Sequence, residues 1–253
     1  MELNVAGIEV KIGKKEIVKD VSILVEKKKF VGLIGPNGCG KSTLLKGIYK
    51  SLMPQKGIVS LGDMDVLKTP QKKVSQQLGV VGQFNEMHFD LTVEQMVMLG
   101  RTPHKRMMEL DKQEDYEIME NALKQANLTN YKDRSFLSLS GGEKQRVILA
   151  RTIAQQPKFM ILDEPTNHLD IRYQIEILSC VKELNIGILA ALHDLETAAH
   201  YCDYIYAIKN GEVYAQGTPE EVLTSETIES LYQIKCRTYI NPVTHGLGFA
   251  YGM

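Results

Sequence analysis

A glycine-rich segment between an apolar strand and a helix constrains the fold of this chain most strongly. The segment Gly35–Ser42 reads GPNGCGKS, follows the apolar run Phe30–Ile34 and precedes a helix predicted over Lys41–Tyr49. Glycines let such a loop curl until its backbone N–H groups converge on one concavity, to which the helix adds the positive end of its dipole. In this context the pattern G-x-x-x-x-G-K-[ST] predicts a loop that binds a polyphosphate.

Individual residues of this loop suit particular parts of a nucleotide. Lys41 would reach the β- and γ-phosphates, the Ser42 hydroxyl would ligate Mg²⁺, and Thr43 would bond an α-phosphate oxygen. Cys39 is also a thiol near a helix N-terminus, where thiols can be reactive, so we expect its alkylation to block nucleotide binding. The predicted nucleotide-binding residues of this segment are Gly35, Pro36, Asn37, Gly38, Cys39, Gly40, Lys41, Ser42 and Thr43.

Two adjacent carboxylates follow a second apolar run, Phe159–Leu162, which predicts a buried strand. Asp163 suits a Mg²⁺ position reached through water, and Glu164 suits the polarisation of an attacking water. Taken alone, the pair is also compatible with a strand that ends in two solvated acids. A third run, Ile188–Leu192, ends at His193. Ligands bind at the carboxyl ends of parallel strands, so the ends of these runs are where a ligand is expected. A histidine at a strand end is by itself more often structural.

Composition places the chain among ordinary globular proteins and limits its partners. Its 253 residues are 43% hydrophobic and 24% charged, which argues against a disordered or fibrous chain. The net charge of −1 supplies no broad positive field for nucleic acid or an anionic membrane surface. The four cysteines lie far apart in sequence, so neither a disulfide framework nor a thiolate metal site is expected. No apolar stretch approaches the about 20 residues of a membrane span and no secretory signal is visible, so we expect a cytoplasmic chain.

A helical insertion is predicted between Asn85 and Pro157, where the strand pattern disappears. Within it, Asp111–Asn127 places apolar residues at helical spacing after an Asp-x-x-Glu start. Methionines are concentrated in the insertion, where they would either form an adaptable docking surface or fill the core. They are Met87, Met96, Met98, Met107, Met108 and Met119.

The chain returns to antiparallel structure after the third strand. Asn210-Gly211 separates the runs Tyr204–Ile208 and Glu212–Ala215, and this dipeptide favours a tight hairpin. The segment Thr218–Glu221 then combines a capping hydroxyl, a proline at the first helical position and a glutamate at the third, which predicts a helix start.

A second anion-binding helix start is predicted at Leu139-Ser140-Gly141-Gly142-Glu143, ahead of a helix over Lys144–Ala154. This pentapeptide resembles the signature motif of ABC ATPases, and the resemblance extends from Val5 to about Tyr232. It implies an α/β fold: a P-loop NTPase (ABC ATPase) core with a mostly parallel sheet, an antiparallel β part and a helical insertion subdomain. The implied organisation is a single ABC ATPase domain over residues 1–253, with the nucleotide-binding core at 1–84 and 157–235, the helical subdomain at 85–156 and a C-terminal tail of unknown role at 236–253.

The resemblance also implies roles for residues outside the phosphate loop. Gln83 resembles the Q-loop glutamine that meets Mg²⁺ and the attacking water. Asp170, in Asn167–Asp170, resembles the D-loop aspartate that sets geometry across a dimer, and His193 resembles the switch histidine that hydrogen-bonds the γ-phosphate. The family usually stacks an aromatic ring on adenine, whereas Ile12 occupies the matching position. We therefore expect apolar contact with the base and only modest discrimination between ATP and GTP.

By resemblance, the chain is a subunit that binds and hydrolyses ATP with Mg²⁺ as a homodimer arranged head to tail. In each nucleotide site one chain would supply the phosphate loop with Gln83, Asp163, Glu164 and His193, and its partner would supply Ser140 and Gly142 of the signature. Lys41, Gln83, Glu164 and His193 are the implied catalytic residues, and Ser42, Gln83 and Asp163 are the implied Mg²⁺ ligands.

Two further segments, Leu99–His104 and Asn167–Gln174, resemble the group of ATPases that power uptake of iron-siderophores, haem and vitamin B12. The resemblance implies a polytopic permease docked through the helical subdomain at the cytoplasmic face of the membrane, and an extracytoplasmic substrate-binding protein that acts indirectly. The alternative is a soluble ABC ATPase that remodels a protein assembly, as in iron–sulfur cluster formation. Tandem ABC proteins of translation or DNA repair fit less well, and no nucleic-acid partner is expected.

Overall fold

The structure is a computed structural model that describes residues 1–82, 90–167, 169–244 and 246–252. Two compact units are distinguished. The first comprises Met1–Thr69, Leu162–Glu164 and Asn185–Met253, and the second comprises Pro70–Ile161 and Pro165–Leu184. The strands and helices in chain order are β1 (Leu3–Ile12), β2 (Lys15–Val25), β3 (Phe30–Ile34), α1 (Lys41–Ile48), β4 (Lys56–Leu61), β5 (Met64–Asp65), α2 (Gln71–Ser75), β6 (Leu78–Val81), α3 (Val93–Met98), α4 (Gln113–Gln125), α5 (Gly141–Ala154), β7 (Phe159–Asp163), α6 (Ile171–Glu183), β8 (Gly187–Ala191), α7 (Leu195–Tyr201), β9 (Tyr204–Lys209), β10 (Glu212–Gly217), α8 (Pro219–Val222), α9 (Ser225–Tyr232), β11 (Lys235–Ile240) and β12 (Leu247–Gly252).

The first unit contains a parallel core that positions the phosphate loop. Strand β3 pairs in parallel with β8 on one side and with β9 on the other. Every residue of β3 and β8 is buried, which explains why both strands are continuous apolar runs rather than alternating ones. The predicted parallel strands Phe30–Ile34 and Ile188–Leu192 are confirmed: β3 has the predicted ends, and β8 begins and ends one residue earlier than predicted. The third predicted run is strand β7, which ends one residue later than predicted.

The predicted hairpin is also confirmed in this unit. Strands β9 and β10 pair antiparallel, and Glu212 faces Lys209 across a two-residue turn. Both turn residues have positive φ, 54° at Asn210 and 84° at Gly211, as this kind of turn requires. The helix start at Thr218 has the predicted reciprocal hydrogen bonds with Glu221.

Two further elements of the first unit were not located in the sequence, although the first of them is an antiparallel sheet, as the resemblance implied. A four-stranded sheet has the order β2-β1-β4-β5, and its β1 residues alternate between buried and exposed in the first half of the strand. The C-terminal tail forms a hairpin of β11 and β12. This hairpin is tied to α9, because the backbone N–H groups of Cys236 and Thr238 donate to side chains of Glu229 and Ser225.

The second unit carries the predicted helical insertion. Between residues 90 and 156 the structure has helices and one isolated bridge, Thr92 to Ser135, and no strand. Helix α4 begins at Gln113, two residues later than predicted, because the Asp111 carboxylate pairs with Lys105 while Asp115 accepts from the N–H of Lys112. None of the helices among the described residues combines the length and apolar character of a membrane span.

The segment Leu99–His104 forms a short 3₁₀ helix that is anchored through Arg101. The buried guanidinium of Arg101 donates to the Asp115 carboxylate at 2.9 Å and to the carbonyl oxygen of Ala154 at 2.8 Å. These contacts tie the segment to both α4 and the end of α5. Arg101 therefore fixes the position of this segment against α4 and α5.

The methionines of the insertion divide between the two predicted roles. Met96 and Met119 are fully buried in the core. Met107 and Met108 are 92% and 93% exposed. Met87 lies outside the described residues. Core filling and surface exposure thus both occur, on different segments of the insertion.

Candidate functional site

The phosphate loop wraps around the side chain of Lys41. The Lys41 ammonium donates to the carbonyl oxygens of Gly35 at 2.6 Å and Pro36 at 3.3 Å, and Lys41 is only 4% exposed. Gly38 and Gly40 have φ of 77° and 112°, a region that other residues rarely adopt. Asn37 and Gly38 are exposed at the tip of the loop. The loop therefore presents an open backbone tip over a lysine that its own carbonyls hold in place.

The β9–β10 turn supports this loop through a backbone hydrogen bond. The backbone N–H of Gly211 donates to the carbonyl oxygen of Cys39 at 2.9 Å, and the Gly211 carbonyl accepts from the N–H of Lys19 at 2.8 Å. A Cβ atom on Gly211 would clash with the carbonyl oxygen of Ile17, and one on Gly35 would clash with that of Ile208. The dipeptide Asn210-Gly211 predicts the turn but not this contact, because nothing local signals which segment a turn will touch.

Ser42 and Asp163 form the part of the site that suits a metal ion. The Ser42 hydroxyl donates to Asp163 Oδ1 at 2.8 Å. Burial raises the pKa of Asp163, the Ser42 hydrogen bond opposes this rise, and the charge of Glu164 adds to it. No group of three or more His, Cys, Asp or Glu side chains in the described part of the chain could hold a metal. One hydroxyl and one carboxylate fit Mg²⁺, which is commonly held by one or two carboxylates together with substrate phosphates and water.

Glu164 and His193 are in direct contact. His193 Nε2 lies 2.6 Å from Glu164 Oε1, so the imidazole donates its Nε2–H to the carboxylate. Glu164 has a φ of 54°, an unusual value for a residue with a side chain, and its N–H donates to the carbonyl oxygen of Ala191. This backbone bond fixes Glu164 beside the end of β8, which His193 closely follows.

The signature pentapeptide forms the start of α5 in the second unit. Ser140 is the N-cap: its hydroxyl accepts from the N–H of Glu143 at 3.3 Å, and Glu143 accepts from the N–H of Ser140 at 2.7 Å. The hydrogen bond from the Ser140 N–H lowers the pKa of Glu143. The helix begins at Gly141, three residues earlier than predicted, because this capping box recruits both glycines into the first turn. Leu139 and Gly142 are buried, whereas Ser140 and Gly141 are exposed.

The remaining predicted site residues have varied environments. Thr43 is half-buried in the first turn of α1, and Ile12 is 54% exposed at the end of β1. Asp170 is exposed and is the N-cap residue of α6. Gln83 lies outside the described residues. The first unit thus brings together Lys41, Ser42, Asp163, Glu164 and His193.

The expectation of a reactive thiol at Cys39 is corrected by its environment. Cys39 is 6% exposed, and burial raises the pKa of its thiol. The Lys41 ammonium, 4.0 Å from the sulfur, opposes that rise without cancelling it. Burial and a raised pKa both disfavour the nucleophilic thiolate, so they argue against a reactive thiol despite the position near a helix N-terminus. The effect of alkylation on nucleotide binding stays a prediction.

The site combines a glycine loop around a buried lysine with an adjacent serine–aspartate pair, above a parallel sheet. Together these features define a P-loop nucleotide-binding protein. Residues 18–167 match the sequence model of the ABC transporter family, and the chain belongs to this family. It is therefore an ATP-binding protein and an ATPase.

Two curated relatives and one solved structure illustrate the family membership. The chain is 36% identical over 235 residues to a ferric enterobactin transport ATP-binding protein of Escherichia coli, covering 91% of this chain and 87% of that protein. It is 36% identical over 248 residues to a cobalamin import ATP-binding protein of Halobacterium salinarum, covering 96% of this chain and 62% of that longer protein. The crystal structure of the ADP conformation of an ATP-binding cassette of an ABC transporter superposes with a TM-score of 0.82 at 26% identity, covering 92% of this chain and 98% of that one.

Proposed function

We propose that the chain is the ATP-hydrolysing subunit of an ABC importer that carries an iron-siderophore, haem or cobalamin type of substrate. The observation that carries this proposal is the identity of 36% along 91% of the chain with a ferric enterobactin transport ATP-binding protein. The cobalamin import relative supports the same class of large metal chelates. In this role the chain would be a peripheral protein on the cytoplasmic face of the cell membrane.

The first unit would bind the triphosphate of ATP. The exposed loop tip at Asn37 and Gly38 offers backbone N–H groups to the phosphates, and Lys41 would exchange its loop carbonyls for β- and γ-phosphate oxygens. Ser42 and Asp163, with Gln83, would hold Mg²⁺. When bound, this ion neutralises charge that develops on the β- and γ-phosphates.

Glu164 and His193 would act on the attacking water and the γ-phosphate. In the structure His193 donates its Nε2–H to Glu164. We propose that bound ATP competes for this Nε2–H through a γ-phosphate oxygen, which releases the Glu164 carboxylate to accept a proton from the water. The water then attacks phosphorus in line with the leaving oxygen, and positioning supplies most of the rate enhancement.

The second unit would complete the site of a partner copy. Ser140 is exposed at a helix N-terminus, where an anion is stabilised by free N–H groups and by the helix dipole. We propose that Ser140 and Gly142 contact the γ-phosphate bound to the other subunit of a head-to-tail homodimer, with Asp170 at the same interface. Two equal sites follow from the two-fold symmetry.

A groove in the second unit is the proposed docking site of the permease. Its volume is about 990 Å³, and Met107 and Met108 on its lining are almost fully exposed. Flexible methionines adapt to an apolar partner surface, and the charges on the lining could orient a helical loop of the permease. The charged lining residues are Lys72, Glu94, Lys105, Arg106, Glu109 and Asp111. The substrate-binding protein would act through the permease.

The domain organisation stays part of this proposal. We propose one ABC ATPase domain with its core at 1–84 and 157–235, a helical subdomain at 85–156 and the tail at 236–253. The two compact units have different boundaries from these: the second begins at Pro70 and also includes Pro165–Leu184.

Reconstitution tests the function directly. We expect the chain to co-purify with the polytopic permease of an importer of this class and to hydrolyse ATP faster when loaded binding protein is added. The double variant Met107→Asp, Met108→Asp should keep basal hydrolysis and lose the stimulation, while Met53→Asp, an exposed methionine outside the groove, should keep both. A chain that binds no such permease and instead binds a soluble scaffold would support the protein-remodelling alternative and contradict the proposal.

A further inference from the structure

We propose that Tyr173 is a positioning residue that holds the signature segment in the geometry needed for contact with ATP on the partner subunit. The proposal rests on the proposed function and deepens it. Tyr173 acts through two neighbours in the second unit, Gly142 and Arg146, and touches no reacting atom itself.

The first contact is between the Tyr173 ring and Gly142. A Cβ atom on Gly142 would lie 2.5 Å from Cδ2, 2.7 Å from Cγ and 2.9 Å from Cε2 of that ring. Gly142 does not have the positive φ that requires glycine elsewhere in the chain. The reason for glycine at this position is therefore the close approach of the ring, which packs directly on the backbone of the signature.

The second contact is between the same ring and Arg146, one helical turn beyond Gly142. The guanidinium carbon of Arg146 lies 5.1 Å from the centroid of the Tyr173 ring and 5.9 Å from that of Tyr131. Nη1 of Arg146 lies 3.5 Å from the Glu176 carboxylate. Cation–π attraction of this kind strengthens when the cation is desolvated, and the Arg146 side chain is only 9% exposed.

The environment of Arg146 makes these aromatic contacts necessary. Its Nε is buried and has no hydrogen-bond partner among the described residues. A buried donor without an acceptor is costly, so the arginine stays in place only if other interactions compensate. The two rings contribute to that compensation, together with the Glu176 carboxylate and the carbonyl oxygen of Asn127, which accepts from Nη1 at 3.4 Å. Because Arg146 and Gly142 lie on the same face of α5, their contacts with Tyr173 set the direction of the helix start.

The position of Tyr173 also connects two segments of the proposed dimer interface. Tyr173 is the third residue of α6, three positions after the N-cap residue Asp170. A shift of the first turn of α6 would move the ring and thereby Gly142. Through Tyr173, a displacement that begins in the D-loop would therefore be transmitted to the signature of the same subunit.

The test compares Tyr173→Phe, which keeps the ring, with Tyr173→Leu, which removes it. We expect Tyr173→Leu to lower kcat by about 10- to 100-fold, since small misplacements of groups at a reacting centre have effects of this size. Its affinity for ATP as a monomer should stay within about twofold of the wild-type value, because the phosphate loop is untouched. Tyr173→Phe should have nearly wild-type kcat. Tyr116→Leu, at a half-exposed tyrosine on α4, is the matched control and should leave both quantities unchanged.

Hydrogen exchange provides a readout that does not depend on hydrolysis. Without nucleotide, amides at the start of α5 should exchange faster in Tyr173→Leu than in the wild type or Tyr173→Phe. Unchanged exchange there, or equal loss of kcat in the Phe and Leu variants, would overturn the proposal. If Tyr173→Leu does not fold, Arg146→Lys replaces it, because lysine keeps the charge and loses the planar group that stacks. Faster exchange in a protein that neither dimerises nor hydrolyses ATP would support the positioning role and contradict the proposed function instead.

Discussion

Asp163 and Glu164 are neighbours in sequence with different environments. Asp163 is 4% exposed and accepts from Ser42, whereas the positive φ of Glu164 turns its side chain toward His193. One buried carboxylate with a raised pKa and one carboxylate bonded to an imidazole are suited to different tasks. The sequence predicted both acids at a strand end, but the geometry that separates their roles comes from the fold.

Replacing Asp163 should increase stability while it removes function. Because the folded-state pKa of Asp163 is raised, the ionised carboxylate costs stability. This cost grows as pH rises from the unfolded-state pKa to the folded-state pKa and is fully present above it. Asp163→Asn should therefore raise the unfolding free energy of the protein at pH 7.5, because the amide removes the buried charge and its Oδ1 can still accept from Ser42.

Thermal unfolding at several pH values and Mg²⁺-dependent hydrolysis measure the two effects of this substitution. The stability difference between wild type and Asp163→Asn should shrink toward low pH, where the wild-type carboxyl is protonated. Hydrolysis should be lost in the variant at every pH. A variant that is less stable at pH 7.5 would contradict the burial argument.

Base selectivity is a second property that depends on one side chain. Ile12 is 54% exposed at the end of β1 and offers only apolar contact to a nucleobase. Ile12→Tyr should increase ATP affinity by about 1 kcal/mol or more, the contribution of stacking an aromatic ring on a base. Competition of GTP against ATP measures it: the wild type should discriminate weakly between the two. Strong discrimination by the wild type would show that other residues read the base.

The β9–β10 hairpin shows how a secondary-structure element can act on a site without contributing a side chain. Its turn donates one hydrogen bond to the phosphate loop and accepts another from β2. The turn was predictable from Asn210-Gly211, because its conformation depends on two adjacent residues. The contact of the turn with Cys39 was not predictable, since the two segments are far apart in the chain.

Substituting Gly211 should weaken nucleotide binding, because it would disturb the hydrogen bond between the turn and the phosphate loop. Gly211 has a φ of 84°, and a Cβ atom there would clash with the Ile17 carbonyl. Gly211→Ala should cost about 1–3 kcal/mol of stability, as strained backbone does, and should raise the Kd for ATP. Asn210→Gly is the matched control, because glycine adopts the 54° φ of Asn210 without strain. Calorimetric ATP titration separates the variants, and unchanged affinity in folded Gly211→Ala would exclude a bracing role.

At the level of the whole molecule, the proposed catalytic cycle depends on two copies of the chain. The first unit holds the phosphate loop with Asp163, Glu164 and His193, and the second holds the exposed Ser140 proposed to meet the ATP of a partner. Nucleotide binding and dimer formation are therefore expected to be one coupled equilibrium, in which ATP stabilises the dimer by mass action.

Removing the proposed base should trap this dimer. Glu164→Gln keeps the size of the side chain and its contact with His193 but cannot accept a proton, so turnover should fall by about 10²- to 10⁴-fold. With ATP and Mg²⁺, light scattering should detect a stable dimer containing two nucleotides. Lys41→Ala in the same background should prevent both binding and dimerisation. A monomer that hydrolyses ATP at the full rate would contradict the dimeric mechanism.

Features that depend on a few adjacent residues were predictable from the sequence. The phosphate loop, the Asn210-Gly211 turn and the start of α8 at Thr218 belong to this group, because backbone dihedral preferences and local hydrogen bonds determine them. The ABC family also followed from short motifs. Contacts between distant segments were not predictable in this way: the Glu164–His193 pair, the ring of Tyr173 on Gly142 and the burial of Cys39. A side chain's partners and its exposure to water depend on which elements pack against it, and packing exists only once the chain has folded.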